Sequence, residues 1–124
     1  MIKEGKHQVY RIDGKTYHCG IDITMSFIGG KWKCVVLWYL RNDSFRFSQL
    51  KRLIPDITEK MLSIQLKSLQ EDGLIERHSF GEKAPFRVQY QLTDFGRSLI
   101  PVIEGITNWG IKLGDDKGEI IDVA

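Results

Sequence analysis

Long hydrophobic runs are missing from this chain, and no apolar stretch approaches the roughly 20 residues that a membrane-spanning helix needs. The first residues, MIKEGK, contain no apolar segment of the kind that marks a secretory signal peptide. Cysteine is also scarce, because Cys19 and Cys34 are the two in the sequence. Two cysteines are too few for a secreted disulfide framework. The sequence therefore predicts a cytoplasmic protein whose thiols pair, stay free or react.

The chain also lacks a recognisable set of catalytic or metal-ligating groups. Its histidines, His7, His18 and His78, are scattered without the spacing of a ligand set. No nucleophile is paired with a base, and the glycine-lysine stretch at residues 29–32 lacks the full phosphate-binding loop pattern. The tryptophans are interpreted as core or dimer contacts rather than as a ligand cage. We therefore expect a protein that is not an enzyme and that has no metal and no cofactor.

What the sequence does contain is typical of one soluble domain. The chain has 124 residues, of which 42% are hydrophobic and 27% charged. The net charge is only +2, but residues 31–67 hold eight Lys or Arg against three Asp or Glu, a local net charge of +5. A locally basic segment suits a polyanionic partner on one face. The alternative is a solvated surface with unevenly distributed charge.

Apolar spacing and turn signals predict two helices near the amino terminus. Residues 1–16 are polar and are predicted to be an arm, which is either a hairpin around Asp13-Gly14 or a loose segment. A helix over residues 21–28 should stop at Gly29-Gly30. A second helix over residues 31–40 is apolar nearly all round and should lie in the core.

A pair of helices joined by a turn is predicted next. After an extended stretch at residues 45–47, Ser48 is predicted to cap a helix that ends near Ile54. Pro55-Asp56 is a turn signal, and Thr58 should then cap a helix to about Asp72, with Gly73 as its stop. The residues of the first of these helices predicted to face inward are Leu50, Leu53 and Ile54.

Two strands and a long helix complete the prediction. Residues 75–80 and 87–92 have the composition of strands and should form a hairpin. Thr93 should cap a long helix in which Pro101 predicts a kink or a helix start. Residues 114–124 are predicted to be an acidic, poorly ordered tail. Apolar residues at heptad-like spacing in the long helix are Leu99, Val102, Ile106, Trp109 and Leu113.

This order of elements predicts a mainly helical α+β fold, the winged helix-turn-helix, with residues 58–72 as the recognition helix. On a helical wheel its leucines, Leu62, Leu66 and Leu69, fall within about 60° of one another and should face the core. Lys60, Ser63 and Lys67 fall on the opposite side, with Ile64 beside them. Lysine and serine can contact phosphates or base edges, and an apolar side chain can touch a thymine methyl. The alternative is an ordinary amphipathic helix with a solvated face.

The hairpin favours the DNA interpretation, because Lys83 and Arg87 flank its tip, where they can reach phosphates or a minor groove. Taken singly, each basic residue is an ordinary surface charge, whereas several on one predicted face indicate a polyanion site. Arg52 is a further basic residue placed to hold the flanking backbone. The residues predicted to contact DNA are Arg46, Ser48, Lys51, Thr58, Lys60, Ser63, Ile64, Lys67, Lys83 and Arg87.

Several stretches of the chain together resemble one family. They are IGGKW at 28–32, FRFSQL at 45–50, ITEKML at 57–62, LKSLQEDGLI at 66–75 and VQYQLTDFGRSL at 88–99. With these motifs the chain is similar to the HxlR family, a branch of the MarR-like winged helix regulators. The similarity spans roughly residues 17–113, which we predict to be the DNA-binding and dimerisation domain.

The resemblance implies a homodimer built from the first and last helices and bound to a pseudo-palindromic operator. The heptad-like spacing of the last helix independently indicates a packing face. The residues predicted to form the dimer interface are Ile23, Phe27, Leu99, Val102, Ile106, Trp109 and Leu113.

The resemblance also bears on the two thiols. Many family members carry a cysteine just before the first helix and use it to sense electrophiles or oxidants, and Cys19 has that position here. The family usually has proline next, where this chain has Gly20. A helix amino terminus favours a reactive thiolate, although a cysteine near a helix start can equally be an ordinary thiol. Cys34 lies among core residues and is predicted to be an inert, small hydrophobic side chain.

The function predicted from the sequence is a sequence-specific transcriptional regulator that binds double-stranded DNA as a homodimer and responds to an oxidant or small electrophile through Cys19. Its two recognition helices should lie about 34 Å apart, one DNA turn. The alternative is a winged helix used for protein-protein contact, which would show no salt-dependent affinity for DNA.

Overall fold

The computed structural model describes residues 2–3, 6–84 and 86–123. Its amino-terminal strands are β1 (Ile2–Lys3), β2 (Lys6–His7), β3 (Tyr10–Ile12) and β4 (Lys15–Tyr17). β1 pairs antiparallel with β2, and β3 with β4. Asp13 and Gly14 have φ angles of 49° and 81°, and positive φ at both central residues is the requirement of a type I′ turn. Of the two predictions for this segment, the hairpin is therefore confirmed.

The remaining elements follow the predicted order of a mainly helical α+β protein. They are α1 (Gly20–Ile28), α2 (Trp32–Tyr39), α3 (Phe47–Leu53), α4 (Glu59–Glu71), β5 (Ile75–Phe80), β6 (Arg87–Leu92), α5 (Asp94–Ser98) and α6 (Ile100–Lys117). The pair α3 and α4 with the turn between them forms the helix-turn-helix, and β5, β6 and their connecting loop form the wing. The predicted winged helix-turn-helix fold is confirmed. Among the described residues, no helix has the length and hydrophobicity to cross a membrane.

The core is built around α2, which contacts α3, α4 and α6. Val36 and Leu37 of this helix are fully buried, as its apolar composition predicts. Burying a leucine or valine side chain contributes about 1.5 to 3 kcal/mol, so a core of this kind fixes the relative positions of the helices. The other buried hydrophobic residues are Ile28, Leu40, Leu50, Ile54, Ile57, Leu62, Leu66, Leu69, Leu74, Ile75, Leu92 and Ile103.

The start of α3 differs from the prediction. The helix begins at Phe47 with Arg46 as its N-cap, so Ser48 is not the capping residue. The side-chain Oε1 of Gln49 accepts the backbone N–H of Arg46 at 2.8 Å and closes this end instead. Leu53 is 40% exposed and does not face inward, because a helix of seven residues presents only one side to the core.

The predicted long carboxy-terminal helix is divided into α5 and α6 at Leu99. Thr93 caps α5 as predicted, since its Oγ1 accepts the backbone N–H of Gly96 at 3.0 Å. α6 starts at Ile100 with proline in its first turn, where the missing N–H has no helical acceptor to lose. Pro101 therefore marks a helix start, one of its two predicted outcomes. α6 continues through Lys117, so the predicted acidic tail begins inside the helix.

The wing is joined to the helix-turn-helix by backbone hydrogen bonds. β5 and β6 pair antiparallel in a register that sets Ile75 opposite Leu92 and Phe80 opposite Arg87. On the other edge of β6, the N–H of Phe45 donates to the carbonyl of Tyr90 at 3.0 Å, and the N–H of Tyr90 donates to the carbonyl of Phe45 at 2.8 Å. This bridge extends the sheet to the residues just before α3 and fixes the wing beside the start of that helix.

Candidate nucleic-acid interface

The candidate recognition helix, α4, is fixed at both ends by local interactions. Thr58 is its N-cap, and its Oγ1 accepts the backbone N–H of Met61 at 3.0 Å. Glu59 lies in the first turn, where a negative charge is favourable. Gly73 follows the last turn with a φ of 75°, a conformation that glycine adopts without strain. The caps predicted for this helix are therefore confirmed.

α4 has two contrasting faces. Leu62, Leu66 and Leu69 are buried, as the helical wheel predicts. The opposite face is exposed and carries Lys60, Ser63, Ile64 and Lys67. Ile64 is 48% exposed, although it is a large apolar side chain at the middle of this face. The face offers two ammonium groups, a hydroxyl and an apolar contact, which are the groups that contact phosphates and base edges.

The basic residues near the tip of the wing are exposed, and neither forms an ion pair with another described residue. Lys83 lies in the loop and Arg87 at the start of β6. Within the described part of the chain, the one contact with the geometry of a salt bridge is His78–Glu76, at 3.2 Å between Nε2 and Oε1. The residue before Phe86, Pro85, is outside the described residues. The cations at the tip are therefore available to a polyanion.

A hydrogen-bonded cluster lies on the outer face of the wing, at its base. Glu76 Oε1 accepts a hydrogen bond from Gln91 Nε2 at 2.9 Å. The hydrogen bond from Gln91, and then that of His78, holds the pKa of the Glu76 carboxyl below its usual range. Gln91 Nε2 also lies 3.2 Å from His78 Nε2. The cluster joins the two strands, so it supports the base of the wing.

Of the side chains at α3 that were predicted to contact DNA, some are exposed and one is hydrogen-bonded within the protein. Arg46 and Ser48 are exposed at the start of the helix, beside the wing. Arg52 is exposed as well. Lys51 Nζ instead donates to the carbonyl oxygen of Pro55 at 3.1 Å, so this ammonium group stabilises the turn between the two helices.

A groove of about 490 Å³ lies between the start of α3 and the tip of the wing. It is lined by Arg46 from α3, Arg87 from β6, and Phe80, Gly81 and Phe86 from the wing. The two arginines were predicted from the sequence as DNA contacts, whereas the two phenylalanines were not. The signal was a pair of aromatic residues on either side of a polar loop, and both are about half exposed, at 49% and 50%.

The predicted dimer residues also divide into two groups. Val102, Ile106, Trp109 and Leu113 are exposed along α6, and Trp109 is 72% exposed. Ile23, Phe27 and Leu99 are partly buried within the chain. The Phe27 ring packs edge-to-face on the Phe95 ring at 5.5 Å, and Leu99 packs against the core. The exposed members of the predicted dimer set therefore all lie along α6.

The two cysteines are free thiols in different settings. Cys19 is the N-cap of α1 with an extended backbone, and its side chain is partly exposed. Cys34 is also partly buried, and its Sγ donates to the carbonyl of Ile28 at 3.7 Å. Burial raises the pKa of the Cys34 thiol, which favours the unreactive protonated form. Cys34 borders a cavity of about 570 Å³ between α1, α2 and α6.

The described residues include no group of three or more histidine, cysteine or acidic side chains arranged to hold a metal ion.

Comparison with known proteins agrees with this architecture. The model of the family described as HxlR-like helix-turn-helix matches residues 27–117. The HTH-type transcriptional regulator YtcD of Bacillus subtilis is 42% identical over 99 residues, which are 80% of this chain and 78% of that protein.

Two solved structures show the same similarity in three dimensions. The redox regulator HypR in its reduced form has a TM-score of 0.74 and 35% identity, covering 78% of this chain and 95% of that one. Quinone-bound YodB from B. subtilis has a TM-score of 0.61 and 27% identity, covering 74% of this chain and 96% of that one.

Proposed function

The chain belongs to the HxlR-like helix-turn-helix family and is a transcriptional regulator rather than an enzyme; on this premise we propose that it binds a pseudo-palindromic operator in duplex DNA as a homodimer. The observation that carries the proposal is the exposed face of α4. This face opposes the buried leucines, and it presents Lys60, Ser63, Ile64 and Lys67 to solvent.

Recognition combines anchoring to phosphates with contacts to base edges. α4 enters the major groove, where Lys60 and Ser63 reach base edges or phosphates and Ile64 packs against a thymine methyl. Thr58, at the amino-terminal end of this helix, faces the sugar-phosphate backbone of the DNA. Lys67, with Lys83 and Arg87 of the wing, binds phosphates and sets the register of the protein on the duplex. Arg46, Ser48 and Lys51 flank this surface from α3.

Dimerisation gives the operator its symmetry. The exposed strip of α6 packs against the same strip of a second copy, with Ile23 and Phe27 of α1 at its border. A two-fold axis then places the two α4 helices in successive major grooves, about 34 Å apart. The half-site spacing is set by this geometry.

The experiment is a mobility shift with the purified protein and mixed genomic duplex fragments over a salt series. We expect binding that weakens steeply with salt and a subset of fragments that persists, because phosphate contacts release counterions and base contacts do not. On a selected fragment, Lys60→Ala and Lys67→Ala should each reduce affinity, and each lost phosphate contact should lower the salt slope by about 1.

Lys112→Ala is the matched control, since Lys112 is an exposed lysine on α6 rather than on the helix-turn-helix. It should leave affinity and salt slope unchanged. A wild-type protein that retains no duplex at low salt, while folded and reduced, would refute the proposal and favour a protein-binding winged helix.

We also propose that Cys19 makes operator binding sensitive to oxidants or electrophiles. Its position at the amino terminus of α1 supports this, as does the similarity to the redox regulator HypR and to quinone-bound YodB. A peroxide would convert the thiol to a sulfenic acid and be reduced to water, whereas an electrophile would add to sulfur with loss of the thiol proton. Either product changes the end of a helix that borders the proposed dimer interface.

The test compares Cys19→Ser with Cys34→Ser. Peroxide or a quinone should release the operator from the wild type and from Cys34→Ser but not from Cys19→Ser, and a thiol reductant should reverse the peroxide effect. If Cys19→Ser responds in the same way as the wild type, Cys19 is not the sensor.

A further inference from the structure

The groove between α3 and the wing combines two kinds of side chain that seldom share a free surface. Arg46 and Arg87 contribute guanidinium groups, and Phe80 and Phe86 contribute half-exposed rings. No acidic residue is among the described residues that line it. An exposed apolar wall beside uncompensated positive charge suits a ligand with an anionic group joined to an apolar one.

The local structure holds these groups in one place. Phe80 and Arg87 are directly opposite each other in the β5–β6 register, so their side chains share a face of the wing. The Phe45–Tyr90 bridge fixes the residue before Arg46 to β6. Gly81 has a φ of 112°, and a Cβ there would lie 3.9 Å from Cδ1 of Phe86. The turn therefore brings the Phe86 ring close to the backbone that directly follows Phe80.

The place of the groove in the fold indicates which part of a duplex meets it. In a helix-turn-helix the second helix occupies the major groove, while the first helix crosses the backbone. The wing reaches the neighbouring minor groove. The strand that separates these two grooves of DNA must then pass between the start of α3 and the wing, which is where Arg46 and Arg87 meet.

We propose that this groove clamps one deoxyribose-phosphate unit of the operator. The phosphate lies between the guanidinium groups of Arg46 and Arg87, and the apolar face of the sugar packs on Phe80 and Phe86. The proposal rests on the proposed function, because it requires α4 to be in the major groove. The rings are walls of a concave surface, so they receive a group and do not project into the base stack as a wedge.

The clamp makes two separable predictions for binding to a selected operator fragment. Arg46→Ala and Arg87→Ala should each weaken binding roughly tenfold, as expected for a lost charge-assisted hydrogen bond, and lower the salt slope by about 1. Phe80→Leu and Phe86→Leu should weaken binding severalfold with no change in slope. Tyr10→Leu is the matched control, because Tyr10 is another half-exposed aromatic residue, on β3 and not among the residues that line the groove.

A second experiment changes the DNA as well as the protein. Fragments carrying one neutral methylphosphonate at each successive position locate the phosphates that the protein binds. At one position per half-site, the substitution should weaken the wild type but cause no further loss in the Arg46→Ala, Arg87→Ala double variant. If every methylphosphonate that weakens binding does so equally for the wild type and the double variant, no phosphate lies between these arginines. That result would refute the clamp.

Two other results would overturn the clamp and leave the proposed function intact. One is equal affinity of Phe80→Leu, Phe86→Leu and Tyr10→Leu, while Lys60→Ala still weakens binding. The other is a bend of the operator, measured by energy transfer between dyes at its ends, that disappears in Phe86→Leu, because this would show insertion between bases. Failure of the wild type to bind any duplex would instead refute the proposed function itself.

Discussion

Gly96 occupies a position with no room for a side chain. A Cβ there would lie 2.0 Å from the carbonyl oxygen of Leu74 and 3.3 Å from Cδ2 of Leu92. The neighbouring Thr93 is fixed to the same segment, since its backbone N–H donates to the Leu74 carbonyl at 3.1 Å. α5 therefore packs directly on the backbone that leads from α4 into the wing.

We expect Gly96→Ala to lower the free energy of unfolding by about 1 to 3 kcal/mol, because backbone must shift to admit the methyl group. Gly105→Ala is the control, since Gly105 lies within α6 with nothing within 4 Å of its Cβ position. That variant should raise stability by about 0.5 to 1 kcal/mol. Urea unfolding measures both, and equal effects would contradict the close approach at Gly96.

The reactivity of the Cys34 thiol tests how far the fold protects its sulfur atom. In a Cys19→Ser background, iodoacetamide at mildly alkaline pH should alkylate Cys34 more slowly in the folded protein than in urea. The reason is the raised pKa of the buried thiol, which keeps the thiolate fraction low. The same shift makes the unfolded thiol ionise first, so rising alkaline pH should favour unfolding. Equal alkylation rates in both states would show that the thiol is not protected.

At the scale of elements, the two helix starts of the helix-turn-helix differ in how they are capped. The hydroxyl oxygen of Thr58 accepts the backbone N–H of Met61 in the first turn of α4, whereas Ser48 lies inside α3 and caps nothing. We expect Thr58→Ala to lower the free energy of unfolding by about 1 kcal/mol. Ser48→Ala should change it by less than about 0.5 kcal/mol. Thermal or urea unfolding that ranks them in the opposite order would refute this assignment.

Most element boundaries follow from local signals in the sequence. Threonine before Glu59 and Asp94, glycine at position 73 and Asp13-Gly14 act through their own backbone and nearest neighbours, and each predicted the structure correctly. The prediction that Ser48 caps α3 was wrong, because the side chain of Gln49, three residues after Arg46, closes this helix end instead. The prediction that Leu53 faces inward was wrong, because the burial of a side chain depends on what the rest of the fold places beside it.

The groove beside the wing shows what local signals cannot provide. Arg46 is separated from Phe80 and Arg87 by more than thirty residues in the sequence. They meet because Phe45 pairs with Tyr90, a register that depends on how the whole hairpin docks on the helices. The exposed basic face of α4 could be predicted, since it lies on one helix with a regular period. A site assembled from separate elements requires the tertiary structure.

At the scale of the whole molecule, the apolar strip on α6 predicts self-association. We expect Trp109→Glu to shift the protein from dimer to monomer in sedimentation velocity, because a carboxylate would be buried against an apolar partner surface. Ile120→Glu is the control, since Ile120 is as apolar and exposed but lies beyond the end of α6. A wild-type protein that is monomeric at high concentration would contradict the dimer, as would unchanged association of Trp109→Glu.

The break at Leu99 has a mechanical consequence. α6 has 18 residues, so it is a rod about 27 Å long that meets α5 at Leu99 and is held on α2 by contacts that include the buried Ile103. A rotation of about 5° at this joint displaces the far end of such a rod by about 2 Å. In the proposed dimer, the stiffness of the α5–α6 junction and of the contacts between α6 and α2 would therefore set the tolerance for operators whose half-sites are slightly too close or too far apart.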